Sequence, residues 1–404
     1  MGYSQNMNGH GSSGRCPERE RIVVICTRYL GDTLLAIPFL RNLRAAHPGA
    51  VIEAVASGAA FQSLADCPYI DALLAWPESA GIVRRAAWLR SRRYARCYLL
   101  KRSLSAALIG GLAGIPQRIG FATECAGPLL SRAVAVPRGR HQAERYLDLL
   151  RAEGHAIDDG HNENWVDAES DRTVAPLLAT LPADRPRVLL AIRGTDGRRF
   201  WPDAAWARLV TWLVTERDAE IVFCGAPHDA DAHAAVRAAV PAHVSAHIHD
   251  FSLRLSLRQA AAVAARMDLC VGIDTGLVHL AASFAVPVVV LVGPTDPNQW
   301  APWGTRHEVV RAEHLVRTPL ARLRAWMPGR RPPALRWPQG RGRMDEIPVA
   351  DVMARIAGLL PEPAPRPELR TLDLRSGSFR YEVTATLPAD AADEPATKPL
   401  AQAH

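Results

Sequence analysis

The stretch 269–304, LCVGIDTGLVHLAASFAVPVVVLVGPTDPNQWAPWG, decides how the rest of the chain is read. Leu269–Ile273 is a short apolar run with the length and composition of a strand buried on both faces. Asp274, Thr275 and Gly276 interrupt it, and Leu277, Leu280, Ala281 and Phe284 then recur at helical spacing. A second apolar run, 288–292, ends in the polar loop 293–297. Strand, tight turn, helix, strand is a βαβ crossover whose loops emerge at the carboxyl end of a parallel sheet. Ligands bind at that end in open α/β folds, and a helix N-terminus offers free N–H groups to an anion. Two readings of the turn stand side by side. Asp274 and Thr275 either cap the helix, with His279 a buried spacer, or they form a ligand site.

DTGLVHLAA followed by VGPTDPNQWAPWG resembles the heptosyltransferases of lipopolysaccharide assembly (glycosyltransferase family 9), two-domain enzymes of the GT-B fold. The resemblance implies an α/β protein with two Rossmann-like parallel-sheet domains facing a central cleft. It also implies ADP-heptose as donor and a lipid A-linked core saccharide as acceptor. Asp274 would hold sugar hydroxyls, with His279 in support, and the N–H groups at Thr275 and Gly276 would meet the departing diphosphate.

The first strand is expected at residues 21–26, followed by the turn Thr27-Arg28-Tyr29-Leu30-Gly31-Asp32 and a helix that Pro38 bends or restarts. GxGxxG is absent, so this turn is no dinucleotide fingerprint. Spacing alone favours Asp32 as a helix N-cap over a general base held at the strand's carboxyl end. RYLGDTLLAIPFLRNLRAAHPGA, however, is similar to the family's N-terminal signature, in which this Asp deprotonates the acceptor hydroxyl. Strand and helix patterns then alternate through residue 113, as a parallel sheet covered on both faces requires. Eight Arg and Lys residues crowd positions 84–102. Most read as a solvated helix face, whereas Arg102, Arg118 and Arg132 occupy loop-like positions suited to an anionic acceptor. LLKRSLSAALIGGLAGIPQRIGF resembles the acceptor-domain segment of members that add a second heptose.

After a polar crossing at about 155–185 the opening pattern repeats: strand 187–192, the loop 193–200, helix 203–217. The loop carries glycines, a hydroxyl and three arginines, and a guanidinium can donate two parallel hydrogen bonds to phosphate. A solvated turn fits the same residues. GTDGRRFWP resembles the family's nucleotide-phosphate loop, which places Thr195 and Arg199 on the diphosphate; members often carry Lys where Arg199 stands. GAPHD resembles the ribose segment, implicating Asp229 or Asp231. Leu255, ahead of a helix at 258–267, matches the segment that packs the adenine. The DxD at Asp229 and Asp231 reads as acids complementing a helix dipole rather than a metal site. His243, His247 and His249 lack the acid or cysteine array of a zinc site.

The expected boundaries are a disordered lead-in 1–20, an acceptor domain 21–167, a nucleotide-sugar domain 168–360 and a disordered tail 361–404. A basic insertion, 317–343, departs from the family. The chain of 404 residues is large enough for two cores, and its net charge of +7 suits an anionic partner. Almost all of that charge is arginine, a bias that genome composition alone can produce. Seven scattered cysteines form no CxxC pair, which fits a reducing cytoplasm. No apolar run spans a membrane and no signal peptide is evident, so contact with the inner-membrane surface would be peripheral. The expectation is an inverting glycosyltransferase with no metal or other cofactor and no nucleic-acid partner. A different nucleotide sugar or acceptor, a nucleotide-sugar epimerase and a non-catalytic anion-binding module are the rival readings.

Overall fold

The computed structural model describes residues 19–77, 80–123, 125–137, 139–252, 254–311 and 344–360. The expected lead-in (Arg19 and Glu20 excepted), the insertion 317–343 and the tail 361–404 lie outside these residues. Glu20 is already part of the fold, since its carbonyl accepts from the Val51 N–H.

The first sheet contains β1 (Arg21–Ile25), β2 (Val51–Ala56), β3 (Ala72–Ala75), β4 (Arg96–Leu99), β5 (Gln117–Phe121) and β6 (Arg132–Val134). All pairings are parallel, in the order β3-β2-β1-β4-β5-β6. Its helices are α1 (Leu30–Leu34), α2 (Ile37–Ala46), α3 (Ala59–Ser63), α4 (Ile82–Arg90), α5 (Leu104–Leu112) and α6 (Gln142–Arg151). Pro38 restarts the helix rather than bending it: α1 ends at Leu34, and Pro38 sits in the first turn of α2, where its missing N–H is no loss.

The polar crossing contains a helix that its composition hid, α7 (Ala168–Leu178), capped by the Asp167 carboxylate on the Ser170 N–H. The second sheet comprises β7 (Arg187–Ala191), β8 (Glu220–Phe223), β9 (Ile248–Asp250), β10 (Leu269–Ile273), β11 (Val288–Leu291) and β12 (His307–Val310). It is again wholly parallel, in the order β12-β11-β10-β7-β8-β9. Its helices are α8 (Asp203–Arg217), α9 (Ala230–Ala238), α10 (Ala242–Ser245), α11 (Leu257–Ala264), α12 (Gly276–Ser283), α13 (Pro297–Trp300) and α14 (Val349–Leu359).

Both sheets follow the doubly wound order, the second read from its other edge. Alternate residues of β7 show why the strands are continuously apolar. Val188, Leu190 and Ile192 pack with Trp206, Leu213 and Ile356 on one face. Leu189 and Ala191 pack with Val174, Val263 and Ala281 on the other. In a doubly wound sheet the strand order reverses at one point, and the crevice outside the carboxyl ends there receives the ligand. That point lies between β1 and β4 in the first sheet and between β7 and β10 in the second.

Candidate active site

Four loops leave the two switch points, carrying Asp32 after β1, Arg102 after β4, residues 193–199 after β7 and Asp274, Thr275 and Gly276 after β10. The N-terminal ends of α1 and α12 meet directly, through paired glycines. A Cβ on Gly31 would lie 2.7 Å from Cδ2 of His279, and one on Gly276 would lie 2.9 Å from Cβ of Leu30. Only a residue without a side chain permits either approach.

Asp32 is not a cap. Tyr29 holds the N-cap position of α1 without a side-chain bond, and Asp32 sits within the first turn. Its Oδ1 accepts from the Tyr146 hydroxyl at 3.4 Å, and Tyr146 itself is fully buried in α6. Burial raises the Asp32 pKa above the ordinary carboxylate value; His279, Arg102 and Tyr146 oppose the shift and Asp274 reinforces it. A carboxylate with raised basicity, near opposite charges but not locked to one, is suited to accepting a proton.

The capping reading fails across the cleft as well, because Thr275 occupies the N-cap of α12 without a side-chain capping bond. Asp274 is buried and tied to its neighbours: Arg199 Nη1 donates to its carbonyl at 2.9 Å and its Oδ2 at 3.1 Å. His279 Nε2 lies 3.6 Å from Asp274 Oδ1. Burial alone would raise the Asp274 pKa, but His279 and Arg199 outweigh it and hold the pKa below its ordinary value. His279 is buried and its Nδ1 has no hydrogen-bond partner. Gly194 brings the 193–199 loop against Thr275, since a Cβ there would lie 3.2 Å from Thr275 Oγ1. Of the loop's three arginines, Arg193 pairs with Asp203 and Arg198 with Asp196, so Arg199 is the one that reaches Asp274. Thr195 is exposed on the same loop.

Other expected residues stand elsewhere. Arg118 lies inside β5 and donates to the carbonyls of Leu129, Ile115 and Pro116, while Arg132 opens β6 and donates to the Ala152 carbonyl. Both therefore sit towards the amino ends of parallel strands, the edge opposite the cleft. Arg102 alone of the three faces Asp32. The Asp229 carboxylate folds back on its own loop, accepting from the Ala226 N–H at 2.9 Å, with Oδ1 3.3 Å from His228 Nε2. Asp231 is exposed in the first turn of α9, and Leu255 is half-buried against the core ahead of α11. The acid that the histidines lacked in sequence is Glu220: His247 Nδ1 and His249 Nε2 lie 2.8 and 2.7 Å from its two oxygens, with Arg185 beside them. Among the described residues, no group of three or more His, Cys, Asp or Glu is arranged to hold a metal.

Sequence reading missed the contribution of α6. Its buried positions 142, 145, 146, 149 and 150 follow helical spacing, and Gln142 and Arg145 are polar residues on that inward stripe. Arg145 donates to Gln299 Oε1 at 3.2 Å and to the Pro137 carbonyl at 3.1 Å, joining the first half to the loop after β11. His141 makes a second bridge. It stacks on Trp303 at 4.5 Å and lies 2.9 Å from the Ala301 carbonyl through Nε2. Burial lowers its pKa to about 4, so at neutral pH it is uncharged, donating through Nε2 and accepting the Ala143 N–H at Nδ1.

Two doubly wound parallel sheets, joined so that both switch points open on one cleft, define an enzyme of the GT-B fold. The chain matches glycosyltransferase family 9 (heptosyltransferase) over residues 82–323 and belongs to that family; it is a glycosyltransferase. Membership bears out the resemblance carried by its loops and sets aside a non-catalytic module. The chain is 28% identical to lipopolysaccharide heptosyltransferase 2 of Escherichia coli K12 over 306 residues, covering 72% of this chain and 88% of that protein. It is 25% identical to lipopolysaccharide heptosyltransferase 1 of the same strain over 321 residues, covering 73% and 95%. Among solved structures, E. coli ADP-heptose LPS heptosyltransferase II superposes with a TM-score of 0.68 at 23% identity, covering 84% of this chain and 98% of that one. A family 9 glycosyltransferase from Veillonella parvula gives 0.71 at 20% identity, covering 84% and 97%. These likenesses show the fold.

Proposed function

We propose that the chain transfers a heptose from ADP-heptose to an inner-core saccharide linked to lipid A, with inversion at the anomeric carbon. The observation that carries this reading is the meeting of α1 with α12, which sets a carboxylate of raised pKa beside the Asp274–His279–Arg199 cluster. The names of the curated relatives supply the sugar and the acceptor class. Residues 21–167 form the acceptor half in this reading, and residues 168–360 the nucleotide-sugar half.

The acceptor hydroxyl attacks the anomeric carbon from the face opposite ADP while Asp32 takes its proton. The bond to the diphosphate breaks, and negative charge develops there. Preorganised donors aimed at that charge contribute most to the rate. Arg199, Thr195 and the N–H groups of Thr275 and Gly276 fill this role, at the positive end of the α12 dipole. Arg199 exchanges part of its contact with Asp274 for the phosphates, freeing Asp274 to bind sugar hydroxyls with His279. Asp231 and Leu255 remain the nucleoside contacts, whereas Asp229 shapes the loop beneath them. Arg102 meets the anionic acceptor. Cationic side chains and the dipole take the place of a metal ion.

We place the enzyme on the cytoplasmic face of the inner membrane. The free thiols of the described cysteines suit a reducing compartment and support that place. Calorimetric titration with ADP, UDP and GDP in EDTA tests the donor assignment. Selective ADP binding is expected, weakened about 10- to 100-fold by Arg199→Ala, the range for a charge-assisted hydrogen-bond pair. Preference for UDP or GDP would refute the heptose assignment while leaving the fold standing.

A further inference from the structure

Residues 79–123 contain nine Arg or Lys and no Asp or Glu. The same region holds most of the exposed apolar surface. Of five large hydrophobic side chains exposed among the described residues, Ile82, Val83, Leu104 and Leu112 all lie on α4 and α5, with Val83 at 73% exposure. These helices pack side by side, and both follow strands of a parallel sheet, so their N-terminal ends lie at the cleft edge. Ile82 and Val83 open α4, and Leu104 opens α5. Arg84 follows on α4, and Lys101 and Arg102 precede α5; all three are exposed. Leu112 lies at the far end, where its carbonyl accepts from Arg90.

We propose that this rim is a membrane-docking surface: Ile82, Val83 and Leu104 enter the headgroup layer of an anionic bilayer while Arg84 and Lys101 meet its phosphates. Clustered aliphatic side chains ringed by basic ones are the signature of an interfacial surface. Two basic residues at an anionic membrane, together with three aliphatic side chains, give a binding that is reversible yet measurable. A nucleic-acid face would present exposed aromatic platforms, whereas the fully exposed apolar side chains here are aliphatic and Trp76 and Trp88 are half-buried beneath Arg85 and Arg92. The surface adjoins Arg102, which faces Asp32, so a lipid-linked acceptor standing in the bilayer would have its saccharide at the cleft mouth. The docking role rests on the proposed lipid-linked acceptor; the surface itself does not.

Flotation of the full chain with phosphatidylcholine vesicles, with and without phosphatidylglycerol, tests the proposal. Partition should favour the anionic vesicles by about tenfold or more and fall as salt is raised. Ile82→Glu/Val83→Glu/Leu104→Glu should lose that partition, and Leu112→Glu, at the far end of α5, should retain it. Should the triple variant not fold, by circular dichroism, Val83→Glu alone carries the test at the most exposed position. Transfer to a detergent-dispersed acceptor should be unchanged in the triple variant. Equal binding to both vesicle types, undiminished flotation of the folded variants, or displacement from vesicles by an oligonucleotide would overturn the proposal. Flotation needs no turnover, so a chain that docks without transferring sugar would refute the transfer reading alone.

Discussion

Gly31→Ala adds one methyl group where the two halves touch. Its carbon would lie 2.7 Å from His279 Cδ2, against the 3.5–4.0 Å of ordinary carbon contact. About 1 Å of overlap must therefore be relieved. The His279 ring is buried and stands 3.6 Å from Asp274, so it has little room to swing away. Separation of α1 from α12 relieves the overlap instead and carries Asp32 back from the donor site. A misplacement of that size in a reacting geometry costs on the order of 100-fold, or about 2.7 kcal/mol of transition-state stabilisation. Overpacking should also lower stability by about 1–3 kcal/mol. The assay is kcat for sugar transfer beside thermal unfolding, with Gly111→Ala as control. A Cβ on Gly111 meets nothing within 4 Å, and alanine in a helix favours folding by about 0.5–1 kcal/mol over glycine. In a His279→Ala background, Gly31→Ala should cost no stability, because the obstructing ring is gone. Transfer by folded Gly31→Ala within about threefold of wild type, under 1 kcal/mol, would refute the reasoning.

Two pH effects follow from the carboxylates. Asp32 must be ionised to act, and its pKa is raised, so the acid limb of kcat/KM should lie above the ordinary carboxylate range. Arg102 lowers that pKa, so Arg102→Gln should move the limb to higher pH; movement to lower pH would contradict the assignment. Asp250 accepts from the Ser252 N–H and hydroxyl and faces His233, contacts that overcome burial and depress its pKa to about 2. A depressed folded pKa stabilises above the unfolded value of about 3.9 and is lost as pH falls towards the folded one. Asp250→Asn should cost about 1 kcal/mol at neutral pH, allowing for its partial exposure, and denaturant titrations should show the difference vanish between about pH 4 and 2.

The fold was legible wherever a strand is buried on both faces. β10 and β11 are unbroken apolar runs, β1 and β7 are apolar after an opening arginine, and the glycine-bearing turns after β1, β7 and β10 mark the loops that carry the site. The edge strands β6 and β9 have only three residues each, too few for a periodic signal. α7 was hidden by its polar surface and by Pro176 within it. Arg118 and Arg132 illustrate a different obstacle: a loop-like position says nothing of which end of the sheet it occupies, and strand direction decides that. Glu220 reaches His247 and His249 only because β8 pairs with β9, a neighbour relation set by sheet order. Tyr146 and Arg145 depend on how α6 lies across the β1 turn, although polar residues on its inward stripe were a readable clue.

Acceptor-dependent release of ADP from ADP-heptose, followed in EDTA for wild type and Asp32→Asn, is the most direct measurement of the central claim. The account predicts release only when the heptose acceptor is present, with inverted anomeric configuration in the product, and loss of release in the variant without loss of ADP affinity. Release that needs no acceptor, or that survives in Asp32→Asn, would contradict it.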